Sequence, residues 1–427
     1  MRNLIKKFTP QFLLSWYHFA LAFLGAVFCR FPDKKLKVIG ITGTKGKSTS
    51  VILAGKILEE EGFKVGWITS ATLKIGEKEW LNPYHMTMPG RFFIQRFLRE
   101  MVKSECQYAL IEVTSEGVLQ HRHRFIDFDA VAFTNLTPEH IEAHHGFENY
   151  RAAKGKLFKV AKNTHIVNLD DDNAEYFLKF PAQKKYGFGI KNGNKELGIN
   201  RNKELEIIEA EEVKLGERYS SFIIRNLLFS VPLLGQFNVY NALSAITICL
   251  SQGIKLEVSK RALEKIRGIP GRLELIDEGQ DFTVIVDLAH TPDSFEKIFN
   301  LVKNLSHNKI ISVFGSAGGG RDKWKRPELG KIAAKYSNFI ILCNEDSYSE
   351  EPAKIIDDIE KGVKEIGFEQ QNCFKIEDRK EAIKKAIKLA GKDDIVLILG
   401  KGTEQIINIG NKKIPWDDRK VAREELK

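Results

Sequence analysis

Lys47 and Ser48 close the run Val38-Ile-Gly-Ile-Thr-Gly-Thr-Lys-Gly-Lys-Ser-Thr49, where an apolar segment opens into a glycine loop. Residues of these types in this order hold a nucleotide triphosphate. Gly43 and Gly46 leave room for the backbone N–H groups of Thr44 and Lys45 to approach phosphate oxygens. Lys47 supplies a point charge, the Ser48 hydroxyl can ligate Mg2+, and Thr49 continues into a helix whose positive end faces the anion. The spacing departs from G-x-x-x-x-G-K-[ST], because Ile41 stands where the first glycine belongs and Gly40 lies one residue earlier.

Other residues carry chemistry more ambiguously. Glu112 ends the apolar run before Val113-Thr-Ser-Glu116, where a carboxylate beside a phosphate loop is a natural Mg2+ ligand and equally an ordinary solvated strand end. His140, in Phe133-Thr-Asn-Leu-Thr-Pro-Glu-His140, can complete a second metal position or cap a helix. Lys154, on an amphipathic stretch, reads by itself as a solvated lysine. Asp287 and His290 end a later apolar run, where nucleotide contact and helix capping both fit. Arg321, Lys323, Lys325 and Arg326 lie on a glycine-rich stretch that can clamp an anion or simply face water. His85, His144 and His145 have no spacing that demands a metal.

The elements that must position these residues alternate short apolar runs with longer amphipathic ones, the pattern of a parallel sheet with helices on its faces. Strands are expected at Lys37 to Ile41, Val65 to Thr69, Tyr108 to Val113, Ala130 to Thr134 and Ile166 to Leu169. Helices are expected at Ser48 to Glu61, Arg91 to Ser104 and Glu148 to Val160. Residues from about 184 to 229 read as a small β-rich insertion. Beyond the turn at Arg267-Gly-Ile-Pro-Gly-Arg272 the alternation resumes, with strands near Thr283 to Leu288, Lys309 to Gly315, Phe339 to Cys343 and Ile395 to Leu399. The expected fold is α/β: a P-loop central domain over residues 36–267 with a parallel sheet, then a Rossmann-like domain over 268–427. Ligands of such sheets gather at the carboxyl ends of the strands.

With 427 residues and 43% hydrophobic composition the chain can build two or three cores. Five cysteines without a C-x-x-C pair argue against a zinc ribbon or a disulfide framework and suit a reducing cytoplasm. The net charge of +10 comes from lysines spread along the whole chain and selects no partner class. Residues 1–35 are dominated by an apolar segment, Phe12 to Cys29, with lysines or arginines on both sides. It reads as a helix docked on the protein or a partner, as a membrane-interface helix, or as a span at the lower limit of length.

Taken together, the motifs resemble the Mur ligase family in its tripeptide-synthetase branch. The stretches that carry the resemblance are Thr42-Gly-Thr-Lys-Gly-Lys-Ser48, Glu112-Val-Thr-Ser115 with Gln120-His-Arg122, Phe133-Thr-Asn-Leu136 with His140, and Tyr150-Arg-Ala-Ala-Lys154. Further along come Gly235-Gln-Phe-Asn-Val-Tyr-Asn241, Pro270-Gly-Arg-Leu-Glu274, Asp287-Leu-Ala-His-Thr-Pro-Asp293, Gly320-Arg-Asp-Lys-Trp-Lys-Arg-Pro327 and Gly400-Lys-Gly-Thr-Glu404. The resemblance implies ATP- and Mg2+-dependent ligation of an amino acid to a muramoyl-peptide-like carboxylate through an acyl phosphate, in peptidoglycan precursor synthesis. It implies catalytic roles for Lys47, Glu112, His140 and Lys154, with Lys154 carbamylated, and metal ligation by Ser48, Glu112, His140 and carbamylated Lys154. ATP contacts follow for Gly43 to Thr49, Asn241, Arg272, Asp287 and His290. Substrate contacts follow for Thr87, Thr114, Ser115, Arg122, Arg321, Lys323, Asp346 and Glu404.

Departures from the pattern accompany the matches. The family's usual UDP-binding domain has no counterpart in residues 1–35, which leaves the acceptor open between an acidic peptide and a UDP- or lipid-linked muramoyl peptide. Glu116 and Thr403 stand where the branch typically has histidines. Enzymes of the branch that select diaminopimelate carry Asp-Asn-Pro-Arg where this chain has Glu345-Asp-Ser-Tyr348, so the amino acid is not fixed. No nucleic acid is expected as a partner. The expected location is the cytoplasm, with association at the inner membrane face through residues 12–29 as one reading. The competing readings are a folylpolyglutamate- or cyanophycin-synthetase-like ligase and, from another class, a membrane-associated or nucleic-acid-binding P-loop ATPase.

Overall fold

A computed structural model describes residues 10–84, 86–138, 144, 146–191 and 205–427. The chain forms two compact units, Met1–Ile266 and Arg267–Lys427.

In the first unit, helix α1 (Gln11–Phe28) precedes β1 (Lys37–Thr42), whose Val38, Ile39 and Ile41 are fully buried because helices cover both faces of the sheet. There follow α2 (Lys47–Glu60), β2 (Val65–Ile68), β3 (Thr72–Ile75), β4 (Lys78–Leu81), α3 (Arg91–Lys103), β5 (Tyr108–Glu112), α4 (Ser115–Leu119), β6 (Ala130–Phe133) and α5 (Phe147–Val160). Next come β7 (Thr164–Asn168), α6 (Ala174–Leu178), β8 (Lys184–Ile190), β9 (Leu205–Leu215), β10 (Ser220–Ile224), β11 (Leu227–Val231), α7 (Gln236–Ser251) and α8 (Leu256–Glu264). The strands form one sheet in the order β11-β10-β9-β8-β7-β6-β1-β5-β2-β3-β4. From β9 to β2 every pairing is parallel, and antiparallel hairpins finish both edges.

The small β-rich insertion near residues 184–229 extends the central sheet. Lys185 to Ile190 pair in parallel register with Leu205 to Ala210, and the ladder runs on into the β9–β11 meander with a register shift between Ser221 and Ile223. Helix α3 shows why the local pattern works. Ile94, Phe97, Leu98 and Met101 recur at helical spacing and are buried against the sheet, each contributing roughly 1.5–3 kcal/mol by removal from water.

Helix α1 docks on α3 through its small and polar side chains. Ala22, Gly25 and Ala26 are buried, and the Ser15 hydroxyl lies 2.8 Å from Nε2 of His121. Nδ1 of His18 bonds an Arg91 guanidinium nitrogen, and Arg99 donates to the Phe28 carbonyl. Docking is thus the reading of residues 12–29 that the fold displays. Among the described residues no helix is long and apolar enough to cross a membrane.

The second unit contains β12 (Glu274–Ile276), β13 (Thr283–Asp287), α9 (Pro292–Lys303), β14 (Ile310–Phe314), α10 (Lys325–Tyr336), β15 (Phe339–Leu342) and α11 (Pro352–Glu365). It ends with β16 (Cys373–Lys375), α12 (Arg379–Leu389), β17 (Ile395–Leu399), a hairpin of β18 (Ile406–Ile409) and β19 (Lys412–Pro415), and α13 (Asp418–Glu425). Its main sheet runs β12-β13-β17-β14-β15-β16, parallel throughout except at β12. The loops after β13, β14, β15 and β17 leave from the same edge, which brings Asp287, Gly315, Asn344 and Gly400 to one end of the sheet. All five cysteines are free.

Candidate active site

The phosphate loop connects β1, near the middle of the first sheet, to α2. Gly46 takes φ 83° and caps the helix, and a Cβ there would sit 2.1 Å from Oδ1 of Asn241. Gly43 takes φ 152°, and its Cβ would lie 2.0 Å from the Thr134 hydroxyl. Both positions exclude a side chain by conformation and by contact, so the loop packs closely on α7 and on the segment after β6.

At the foot of the loop, parallel pairing of β1 with β5 brings the end of β5 beside the start of α2. The Ser48 hydroxyl donates to Oε2 of Glu112 at 2.6 Å, and the Ser70 N–H donates to the same oxygen at 2.9 Å. Oγ of Ser70 lies 2.8 Å from Oγ of Ser48. Nζ of Lys47 reaches the Gly43 and Thr44 carbonyls at 3.0 and 2.7 Å and stands 3.9 Å from Oε1 of Glu112. A hydroxyl and a carboxylate meeting beside a helix N-terminus form a hard oxygen donor set of the kind Mg2+ takes together with nucleotide phosphates. Among the described residues no group of three or more His, Cys, Asp or Glu side chains could hold a metal by itself. His140 lies outside the described residues, as do His85 and His145.

Lys154 is not a surface lysine. It is 1% exposed, its Nζ donates to the Gly43 carbonyl at 2.8 Å, and it sits 4.6 Å from the Tyr150 ring centre. The helical spacing of four residues between Tyr150 and Lys154 stacks them on the inner face of α5, below the loop. The Tyr150 hydroxyl in turn lies 3.1 Å from Oγ1 of Thr44, within the loop itself.

Several residues that the sequence did not single out hold the loop. Asn135 grips Lys45 on both sides: its Oδ1 accepts the Lys45 N–H at 2.9 Å and its Nδ2 donates to the Lys45 carbonyl at 3.0 Å. The Asn135 carbonyl accepts the Thr44 N–H, and the Thr134 hydroxyl donates to Lys45 O. The signal was present in Phe133-Thr-Asn-Leu136, but nothing in its composition says that an amide will face a loop 90 positions away. Ser70 and Tyr150 were missed for the same reason.

The expected acceptor-side residues of the first unit gather around α4. Thr114 caps the helix by accepting the Gly117 N–H, and Ser115 is buried with its hydroxyl 3.0 Å from Nε2 of His144. Arg122 donates to the Met88 carbonyl and to Gln120, next to the partly exposed Thr87. Burial pulls the Arg122 guanidinium below its ordinary pKa, with Glu116 opposing. Asn241 is buried on α7, where its amide donates to Asn238, and Thr49 is buried in the first turn of α2.

In the second unit, Asp287 is held at both oxygens: Oδ2 accepts Leu273 N–H at 2.7 Å, and Oδ1 accepts Ala289 N–H at 2.6 Å. The Arg272 N–H bonds the Ile269 carbonyl, which fixes the Pro270–Gly271 turn. Nδ1 of His290 donates to the Leu288 carbonyl at 2.7 Å.

Of the four cations that could clamp an anion or face water, Lys323 and Arg326 meet at Glu350, while Lys325 and Arg321 go elsewhere. Arg326 is 1% exposed and pairs with Glu350 and Asp358, and Lys325 donates to the His290 carbonyl. Lys323 pairs with Glu350 from the surface, and Arg321 is exposed.

Asp346 and Glu404 instead share a cation. Lys401, fully buried, lies 2.8 Å from Asp346 and 2.6 Å from Glu404, while Asn408 donates to Asp346 from its backbone and side chain. Burial pushes the Lys401 pKa down, and the two carboxylates together outweigh it, so the ammonium is held above its ordinary range. Lys401 was passed over in the sequence, although it lies three positions before Glu404 across a glycine turn. Beside it the Glu345 carboxyl is raised by burial, against the opposing charges of Lys325, Lys401 and Arg379.

The chain matches the Mur ligase middle domain over residues 41–249 and the Mur ligase, glutamate ligase domain over residues 271–402. It is 37% identical over 416 residues to UDP-N-acetylmuramoyl-L-alanyl-D-glutamate–2,6-diaminopimelate ligase 1 of Clostridium acetobutylicum, covering 96% of this chain and 82% of the relative. It is 35% identical over 423 residues to UDP-N-acetylmuramyl-tripeptide synthetase of a Roseiflexus species, covering 95% and 82%. Among solved structures, a UDP-N-acetylmuramoyl-L-alanyl-D-glutamate–2,6-diaminopimelate ligase superposes with TM-score 0.61 at 27% identity, covering 92% of this chain and 78% of the other. Folylpolyglutamate synthase of Mycobacterium tuberculosis shares the fold, with TM-score 0.68 at 13% identity over 90% and 92%.

Proposed function

This chain belongs to the Mur ligase family, and from that premise we propose that it joins an amino acid to the carboxylate of a muramoyl peptide in peptidoglycan precursor synthesis, splitting ATP to ADP and phosphate. The observation that carries the reading is the cluster under the phosphate loop, where Ser48, Glu112, Lys47 and buried Lys154 all meet the Gly43–Ser48 backbone or each other.

In the first step a carboxylate oxygen of the acceptor attacks the γ-phosphorus of ATP and the β–γ bridging oxygen leaves with ADP. The loop N–H groups, the α2 N-terminus and Lys47 stabilise the charge that moves onto the phosphoryl oxygens. Mg2+ held by Ser48 and Glu112 would neutralise phosphate oxygens and fix their orientation. In the second step the amine of the incoming amino acid attacks the acyl phosphate, loses a proton, and phosphate departs as the amide forms. Thr114, Ser115 and Arg122 serve the acceptor in this reading. Asn241, Arg272, Asp287 and His290 serve ATP, and Asp346 and Glu404, joined by Lys401, serve the amino acid.

Lys154 carries a carbamate in this reading, which converts a buried ammonium into an anion able to help hold a second Mg2+ near the loop. Its near-complete burial supports the assignment, since a solvated lysine needs no such site. The added carbon dioxide is testable directly, as a carbamate resonance in 13C NMR after exchange with labelled bicarbonate that is missing in Lys154→Arg.

The acceptor is a UDP-linked muramoyl peptide, as the relatives' names indicate for those proteins. A lipid-linked acceptor is the finer alternative. Tyr348 stands where diaminopimelate-selecting members carry arginine, so the amino acid is to be read from the assay. Purified protein is offered UDP-muramoyl dipeptide, its lipid-linked counterpart or a folate, each with single amino acids, and ADP release and product mass are followed. Amide product with a muramoyl acceptor is expected. ADP release confined to folates, or absent with every acceptor, refutes the proposal.

A further inference from the structure

Helix α1 is turned inside out relative to an ordinary surface helix. The residues buried most deeply or bonded to the protein are small or polar, namely Ser15, His18, Ala22, Gly25 and Ala26; Phe19 and Phe23 touch Phe125 at the margin, and the remaining large aromatic side chains face away. Phe12 is 69% exposed, Trp16 73%, Tyr17 59%, Leu24 55% and Phe28 68%. They fall in a two-column stripe at helical spacing that contains no charged residue from Phe12 to Phe28. Phe92 of α3, half exposed and in ring contact with Phe28, extends the stripe past the end of the helix.

The surroundings of the stripe choose among occupants. Arg30, Lys34 and Lys35 are exposed at its carboxyl end, joined by exposed Arg96 on the neighbouring helix. The sequence places Arg2, Lys6 and Lys7 before it. Asp33 is the sole acidic residue ahead of Glu59 in the sequence, and it is buried where its carboxylate accepts the Asp127 N–H. An apolar stripe with Trp and Tyr, cations at both ends and no exposed acid on the segment matches the interface of a bilayer with anionic headgroups. A second copy of the same helix would bring like charges together at the ends in a parallel pair, or gain no acid to meet them in an antiparallel one.

We propose that α1 is an interfacial membrane helix that seats this protein on an anionic bilayer without spanning it. Through Ser15 to His121 and His18 to Arg91 the helix is fastened to the segment that carries Arg122. The proposal stands independently of the ligase reading.

The test is flotation of the full chain with phosphatidylcholine vesicles, with and without phosphatidylglycerol. The wild type is expected to float with the anionic vesicles, less so at high salt and least with phosphatidylcholine alone. W16Q/F28Q and K34Q/K35Q are each expected to bind about tenfold or more weakly while melting like the wild type. Wild type that stays at the bottom with anionic vesicles overturns the proposal, as does W16Q/F28Q floating like wild type. Light scattering that shows a dimer dissolved by W16Q/F28Q, with no vesicle binding, assigns the stripe to a second copy and overturns it equally.

Discussion

Ser48 and Glu112, 64 positions apart in the chain, meet in a hydrogen bond of 2.6 Å that ties the first turn of α2 to the end of β5. The contact puts a hydroxyl and a carboxylate side by side at the start of α2, the pair proposed above to hold Mg2+. Glu112→Gln keeps the size and an acceptor oxygen but removes the charge. We expect kcat/KM for ADP release to fall by about a hundredfold or more, with a higher Mg2+ requirement and little change in melting temperature. A variant of near wild-type activity at low Mg2+ would remove Glu112 from the site.

The Tyr150 hydroxyl touches Thr44 while its ring carries Lys154, so this side chain is predicted to position the loop. Tyr150→Phe retains the ring and deletes one hydrogen bond, worth about 1 kcal/mol of stability. The expected kinetic mark is a rise of roughly three- to tenfold in KM for ATP with kcat nearly kept. If stability drops but KM for ATP stays put, the phenol is a packing group and nothing more.

Lys401 neutralises Asp346 and Glu404 from a fully buried position. Lys401→Met leaves two acids without their cation and should cost about 3–5 kcal/mol in urea unfolding. Because the folded-state pKa is raised above lysine's ordinary 10.5, the stability this group adds is complete below that value and lost as pH climbs through the raised one. The variant should therefore lack this part of the alkaline decline. Equal urea midpoints for the two proteins would show that the triad contributes no net stability.

His123 is buried and its pKa is pushed down to about 3, first by burial and then by Arg124. Between the ordinary 6.5 and about 3 the unfolded chain binds a proton that the folded one refuses. Stability should thus fall by up to ~1.4 kcal/mol for each pH unit below 6.5 on this account. His123→Phe, measured by denaturant unfolding across that range, should have a shallower acid limb. An unchanged slope would assign the acid sensitivity to other groups.

The sequence carried most of the fold, because a parallel sheet covered on both faces writes its strands as apolar runs. Lys37 to Ile41 and Ile395 to Leu399 were read to within a residue. It carried less of the attachment of β9 to β8, since parallel pairing across a long connection leaves no local mark. Within the site, the loop, Glu112 and Lys154 were legible because a family motif reinforced each of them. Asn135, Ser70 and Lys401 were not, because their importance lies in what they touch. The length of the apolar run also drew α1 as a helix, but could not say which of its faces would turn inward.

Among the described residues the sheet of the first unit has eleven strands, and their order matters for its opening. Strand β1 is bonded on both sides, by β5 and β6, and it carries the phosphate loop at its end, while the hairpins β3–β4 and β10–β11 form the outer edges. Amide hydrogen exchange in such a ladder runs from quick at the rims to slow at the middle. Asn135 and Glu112 grip the loop from the centre of that ladder, so partial opening of either rim is expected to leave the phosphate loop assembled.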